Sequence, residues 1–274
     1  MLNLNKCHPI ELNDLIRIGS RHDGGYVLSK RIIDNTKLLL SFGINRDWNF
    51  EKDFYNNKEC KIYAFDYSIK DLPFVTKKLA KIKIRIIYNM LRLKHSTVKD
   101  LRKQIELSKD FHHFFDNKKT IFIPKYLGEY DDEENICFDS IFKELMEKGV
   151  DDLSIFLKMD IELNEYLCLP QLIPYFDKLC GMVVEFHQLG IVDVRFEELL
   201  DAISTKFYIA HTHGNNYGNF IYKTKIPSTL EITFINKKLV DKTALSKRSY
   251  PIEGLDAPNN KHKDDLKLSF SDYE

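Results

Sequence analysis

Short apolar runs recur along the chain, each ending in a small or ionisable residue. Leu38-Leu39-Leu40 ends at Ser41-Phe42-Gly43, and Ile62-Tyr63-Ala64-Phe65 ends at Asp66. Leu153 to Met159 ends at Asp160, and Met182-Val183-Val184 ends at Glu185-Phe186-His187. Bounded runs of this length predict buried parallel strands. Thr120 to Pro124 adds a short strand, and Phe207 to Ala210 another, running into the polar loop His211 to Asn216. Residues 226–235 alternate apolar and polar, which predicts a closing antiparallel strand. Helical spacing fills the gaps. Arg46 to Tyr55 opens a helix with Asp47 or Asn49 available as its cap. Ile141 leads to a stop at Gly149, a helix interrupted by Pro170 and Pro174 runs toward Cys180, and Val194 to Ser204 is periodic. Strand and helix in alternation predict an α/β fold, doubly wound around a mostly parallel sheet.

Two stretches depart from that rhythm. Tyr67 to Lys119 is far longer than a crossover needs. Its spacing (Leu91, Val98, Leu101, Ile105) predicts a helical insertion over about residues 67–118, with Lys94, Lys99, Arg102 and Lys103 on a solvated face. From Asn236 the composition turns polar. We therefore expect one domain over residues 1–253, with a short helical lead-in over residues 1–16, and a frayed polar tail over residues 254–274. There is no internal repeat and no second core.

Length and charge narrow the class. The chain has 274 residues, and its 41 basic and 41 acidic residues cancel. A dedicated nucleic-acid binder carries a basic excess, so a small-molecule or glycan substrate is the expectation. No apolar run approaches the ~20 residues of a membrane span, and no secretory pattern opens the chain. The five cysteines are scattered without a CxxC pair, which fits buried, reduced thiols and a cytoplasmic protein. Whether it forms a homo-oligomer is open.

In an open parallel sheet, ligands bind at the carboxyl edge of the strands. Gly43, Asp66, Asp160, Glu185, His187, His211 and His213 all fall at strand ends, so they should collect on one rim. A glycine admits a ligand close to the backbone. The acidic residue ending the next strand can accept hydrogen bonds from both ribose hydroxyls. With Gly43 flanked by Ser41, Phe42 and Asn45, and with Asp66 followed by Tyr67, these residues outline a nucleoside pocket. A pyrophosphate cradle carries three glycines; only Gly43 is present, so S-adenosyl-L-methionine fits better than a dinucleotide. Asp23-Gly24-Gly25 either closes a hairpin or lies over this pocket. Asp160 and His187 are the candidate acid–base pair. Asp160, Glu185, His187, His211 and His213 also make a donor set for a divalent metal: magnesium through the carboxylates, zinc or iron through the histidines. The plainer alternative is that one or two of these histidines only hydrogen-bond across the rim. His112-His113, between Phe111 and Phe114, reads as aromatic packing, and Trp48 as core.

Taken together, Leu40-Ser41-Phe42-Gly43, Ala64-Phe65-Asp66, Cys137 to Ile141, Leu157 to Glu162, Val184 to His187 and the closing Ile226-Pro227…Leu230 to Thr233 resemble the FkbM-type methyltransferases. A closer branch, the methyltransferase-like group, carries an Asp-Gly-Gly-Tyr segment and a His-Gly-Asn-Asn-like loop, here Asp23 to Tyr26 and His213 to Asn216. The match spans most of residues 15–235 except the insertion. The resemblance implies the class I, Rossmann-like methyltransferase fold, with seven strands and a reversed last one. It implies O-methylation of sugars or other small natural products, here an activated sugar or a polysaccharide (capsule-type) precursor. It implies that Gly43 and Asp66 hold the donor, with Asp139 from the matching Cys137–Ile141 segment beside them, and that Asp160 and Glu162 face the transfer site. Leu163 stands where the family has glycine, which should change the turn after that strand and the placement of Glu162. Outside catalysis, the same pattern fits a nucleoside-binding module; outside methyl transfer, a metal-dependent hydrolase using the histidine-rich rim.

Overall fold

A computed structural model describes residues 2–72, 75–76, 84–86, 88–89, 95–222, 224–241 and 244–270. Strands β1 (Leu15–Gly19) and β2 (Gly25–Ser29) form a hairpin, followed by α1 (Lys30–Asn35). Then come β3 (Leu38–Phe42), α2 (Asn49–Asn57), β4 (Lys61–Phe65), α3 (His95–Phe115) and β5 (Thr120–Ile123). The short strands β6 (Tyr126–Leu127) and β7 (Asn135–Ile136) pair with each other before α4 (Phe138–Glu147). The chain continues through β8 (Ile155–Met159), α5 (Glu165–Leu172), β9 (Leu179–Phe186), α6 (Asp193–Ser204), β10 (Phe207–Gly214) and β11 (Leu230–Asn236).

Seven strands form the central sheet in the order β10-β11-β9-β8-β3-β4-β5. Every pairing among β9, β8, β3, β4 and β5 is parallel; β11 alone runs against its neighbours. This is the doubly wound sheet with a reversed last strand that the resemblance implies. All residues of β3, β8, β9 and β11 are buried, as strands covered on both faces require. The chain order switches direction between β3 and β8, and the ligand crevice of such a sheet opens at that point.

Helices cover both faces. Ile141, Phe142 and Leu145 of α4 are buried against the sheet, and Phe54 of α2 stacks on Phe156 of β8 at 5.5 Å on the other face. Asp47 Oδ1 accepts from the Asn49 amide, so Asp47 is the residue that helps start α2. Trp48 is core, meeting Phe111 of α3 edge-on at 5.1 Å. In α3, Val98, Leu101 and Phe111 are buried, while Lys99, Arg102 and Lys103 are exposed. Leu91 and Lys94 lie outside the described residues. All five cysteines are free and buried.

Three expectations need correction. The lead-in is no α-helix: it holds a 3-10 turn over Leu4–Cys7, and β1 begins at Leu15. Of the tail expected over residues 254–274, positions 271–274 lie outside the described residues, and 254–270 are ordered. Their polar composition pairs with the polar ends of the sheet: Asp256 with His211, Asp265 with His213, and Asn259 with Glu231. Leu163 takes φ +83°, so its turn is one that a glycine would make without strain.

Candidate functional site

β3 delivers Gly43 to the carboxyl edge with φ +78°, and its N–H donates to the Phe65 carbonyl. The chain there passes directly under β8's end: a Cβ at Gly43 would stand 1.7 Å from the Asp160 carbonyl oxygen. Gly43 is thus a waist, and a cleft opens on each side of it. One lobe, about 210 Å³, is lined by Asn45, Asp66, Ser68, Tyr126, Asp160 and Glu162 among others. The second, about 220 Å³, is lined by Asp23, Gly24, Arg46, Glu51, Lys158 and Asp160 among others. Gly43, Asn45 and Asp160 border both. Each lobe alone falls below the ~300 Å³ at which ligand sites usually begin, and the pair exceeds it. The shape suits an elongated ligand drawn across the waist.

Asp66 ends β4 with a buried carboxylate. Its Oδ2 accepts from the Asn45 amide at 2.7 Å, and its Oδ1 accepts from the Ser68 amide at 2.8 Å and the Ser68 hydroxyl at 2.6 Å. A carboxylate offers about four acceptor positions. Three are taken, so Asp66 has one left, on Oδ2. It can receive one ribose hydroxyl directly; the second requires the Ser68 hydroxyl to turn away.

The other expected cofactor residues divide. Asn45, Asp23 and Gly24 line the lobes, so the Asp-Gly-Gly segment both closes the β1–β2 hairpin and borders the cleft. Ser41 and Phe42 are fully buried below it: the Ser41 hydroxyl donates to Glu51, and Phe42 stacks on Phe65 at 4.6 Å. Gly25 packs against the Ser20 carbonyl and the Arg17 side chain instead of facing the cleft. Tyr67 contacts Tyr126 ring to ring at 5.0 Å, and its hydroxyl donates to Glu134. Asp139 is not among the residues lining either lobe: it sits in the first turn of α4, where an acidic residue suits the helix dipole, and accepts from Tyr175.

At the ends of β8 and β9, Asp160, Glu185 and His187 bring one ligand atom each within 4.8 Å of one another. His187 Nδ1 lies 2.8 Å from Oε1 of Glu165, a residue with no exposed surface. Its Nε2 faces Glu185 at 3.5 Å, Glu162 at 3.7 Å and Asp160 at 3.9 Å. Burial pushes the His187 pKa down, but the Glu165 hydrogen bond and the surrounding carboxylate charges leave it above its usual value. Burial raises Asp160, against the charges of Lys158 and His187. Burial and the charges of Asp160 and Glu231 hold Glu185 well above the usual carboxylate range, although Asn215 donates to it at 2.7 Å.

His211 and His213 do not join this group. They pair instead with residues of β11 and the C-terminal segment, away from the cluster around His187. His211 Nε2 pairs with Asp256 at 2.9 Å. His213 is held between Glu231 at 3.1 Å and Asp265 at 3.0 Å. The cross-rim hydrogen-bonding alternative is the one observed for both.

Glu51, Lys158, Glu165 and Glu231 escaped the sequence reading. Lys158 is buried inside β8 and donates to the Gly43 carbonyl at 2.6 Å, bracing the waist from below. Glu231 was findable: a reversed strand starts at the rim where parallel strands end, so its second residue, paired in register with Glu185, belongs there.

No family model matches the chain, and no curated protein matches it. Among solved structures it is similar to an rRNA methylase from Streptococcus thermophilus, at 8% identity over 76% of this chain and 92% of that one, with a TM-score of 0.35. It is also similar to a precorrin-6y C5,15-methyltransferase from Geobacter metallireducens GS-15, at 7% identity over 75% and 86%, TM-score 0.35. A third is TrmK of M. capricolum in complex with S-adenosyl-homocysteine, at 10% identity over 81% and 70%, TM-score 0.32.

Proposed function

We propose that this protein is an S-adenosylmethionine-dependent O-methyltransferase whose acceptor is a hydroxyl of a sugar, an activated sugar or a surface-glycan precursor. The two-lobed cleft pinched at Gly43, with Asp66 in one lobe and Asp160 bordering both, is the observation that carries this reading. Asp66 would take a ribose hydroxyl on its remaining acceptor position, with Asn45 and Ser68 fixing its orientation. The second lobe, with Arg46 and Lys158 beside Asp23 and Glu51, suits a zwitterionic amino-acid end. Bound donor supplies an electrophilic methyl group on a sulfonium. The chain's own task is to align a hydroxyl in line with that group and to remove its proton. Asp160 borders the cleft and has His187 next to it, so the cluster around them would orient the hydroxyl and accept the proton. The balanced charge favours a small acceptor over a nucleic acid.

Calorimetry with S-adenosylhomocysteine tests the first half. Binding at micromolar ligand is expected; none at sub-millimolar concentration removes the reading. Methyl uptake from labelled donor, across a panel of sugar nucleotides, tests the second half. A protein that binds donor and methylates nothing in that panel or in a glycan extract would be a nucleoside-binding module instead.

A further inference from the structure

We propose that Asp160, Glu185 and His187 bind a divalent transition-metal cation through one oxygen or nitrogen each, with Glu165 holding the histidine behind it. The spacing is the first reason. A ring nitrogen that carried a proton among carboxylates would close on one of them to about 2.8 Å. Instead Nε2 stands 3.5 Å from Glu185, 3.7 Å from Glu162 and 3.9 Å from Asp160. Ligand atoms on ~2.1 Å bonds around a tetrahedral ion are separated by about 3.4 Å. The gap is therefore wide enough to take an ion.

The second reason lies behind the ring. A metal-bound histidine characteristically donates its other N–H to a carboxylate, which fixes the tautomer and leaves the far nitrogen free to ligate. Glu165 does this at Nδ1. It is fully buried, and its second oxygen has no hydrogen-bond partner among the described residues. A buried carboxylate with so little support needs a positive charge nearby, and a cation on Nε2 supplies it across the ring. Glu162 is 87% exposed and free to swing, so it can close the site or leave a position open. One imidazole with carboxylates suits manganese or zinc better than magnesium.

Cation binding does not depend on the methyltransferase reading, but its role in transfer does. Nε2 has one lone pair, so a His187 that ligates is no longer a base, and proton acceptance passes to the carboxylates. The full chain, stripped with chelator and dialysed against Mn²⁺ or Zn²⁺ without donor, should retain one equivalent by elemental analysis. Bound Mn²⁺ should lose its free-ion EPR signal. His187→Ala and Glu185→Gln should release the metal, and Glu165→Gln should weaken binding by about 10–100-fold. Wild-type protein that retains neither metal at micromolar concentration overturns the proposal, with no variant needed. Undiminished retention in folded His187→Ala and Glu185→Gln does the same. Neither result bears on donor binding, which calorimetry reads separately.

Discussion

Gly43 and Asp160 approach so closely that a single added methyl group at Gly43 would overlap the Asp160 carbonyl oxygen at 1.7 Å. The oxygen belongs to backbone, so a rotamer change cannot relieve the contact. Gly43→Ala must separate β3 from β8 at the waist and also bear a φ of +78°, which alone costs about 1–2 kcal/mol. We expect a clear loss of thermal stability and at least tenfold weaker S-adenosylhomocysteine binding by calorimetry. Gly149→Ala is the control: its φ is +71° but nothing lies within 4 Å of the added atom. It should lose stability through strain alone and bind donor normally. Equal donor affinity in both variants would mean that the waist is not part of the pocket.

Asp66→Asn keeps the shape of the side chain and removes one acceptor oxygen. The wild-type carboxylate receives backbone N–H groups on both oxygens, from Asn45 and from Ser68. In the amide, one of those N–H groups faces an NH₂, donor against donor. An orphaned buried donor costs about 1–3 kcal/mol, so donor affinity should fall by roughly tenfold or more while the rest of the sheet stays folded. Unchanged affinity in a titration would remove Asp66 from the nucleoside site.

The sheet was legible because its strands are buried on both faces, and continuous apolar runs such as Leu38 to Leu40 can hardly be anything else. The rim was legible for the same reason: Asp160 and His187 interrupt the apolar pattern where the parallel strands must end. The partners of those rim residues were not legible. Glu165 lies inside a helix, in a sequence context indistinguishable from a solvated acid, and only the packing of α5 on β9 reveals it as fully buried. Asp256 and Asp265 lie in a polar stretch whose composition suggests disorder. Two histidines on β10 turn that stretch into ordered structure, and nothing local in the sequence announces a contact spanning 45 or 52 residues.

Leu163 sits at φ +83° with 38% of its surface exposed. A side chain in that region costs about 1–2 kcal/mol, and glycine gives back about 0.5–1 kcal/mol through its unfolded-state freedom. Leu163→Gly should therefore stabilise the protein, by about 0.5–1 kcal/mol in chemical denaturation. A destabilised variant would mean that the leucine side chain contributes packing worth more than its strain.

His213 makes stability depend on pH. Glu231 of β11 and Asp265 of the C-terminal segment face its two nitrogens, and Asp256 adds charge nearby. Burial alone would lower its pKa, but the hydrogen bonds to Asp265 and Glu231 raise it to about 10. The unfolded value is about 6.5. A group raised on folding contributes its full stabilisation below the unfolded value and loses it as pH climbs through the folded one. Asp265→Asn should accordingly melt well below wild type at pH 6.5, and the gap should narrow as pH approaches 10. Melting curves across that range test this, and a gap independent of pH would mean that His213 is neutral in the folded protein.

Asp160→Ala and His187→Ala bear on transfer without bearing on donor affinity. His187 has no place among the residues lining either lobe, and at Asp160, which borders both, alanine keeps the backbone in place. Its amide donates to the Phe42 carbonyl, an interaction the substitution does not touch. S-adenosylhomocysteine should therefore bind each variant within a few-fold of wild type. Methyl transfer to an identified acceptor should fall by about 10²–10⁴-fold, the usual contribution of a positioned acid–base group, lost directly with Asp160 and through the cluster that His187 holds together. His187→Ala also leaves Glu165 buried without its partner, so its melting temperature should drop further than that of Asp160→Ala. Substantial transfer in both variants would move the chemistry away from the ends of β8 and β9. The next group to test would be Asp23, which borders the second lobe and whose pKa is raised by burial.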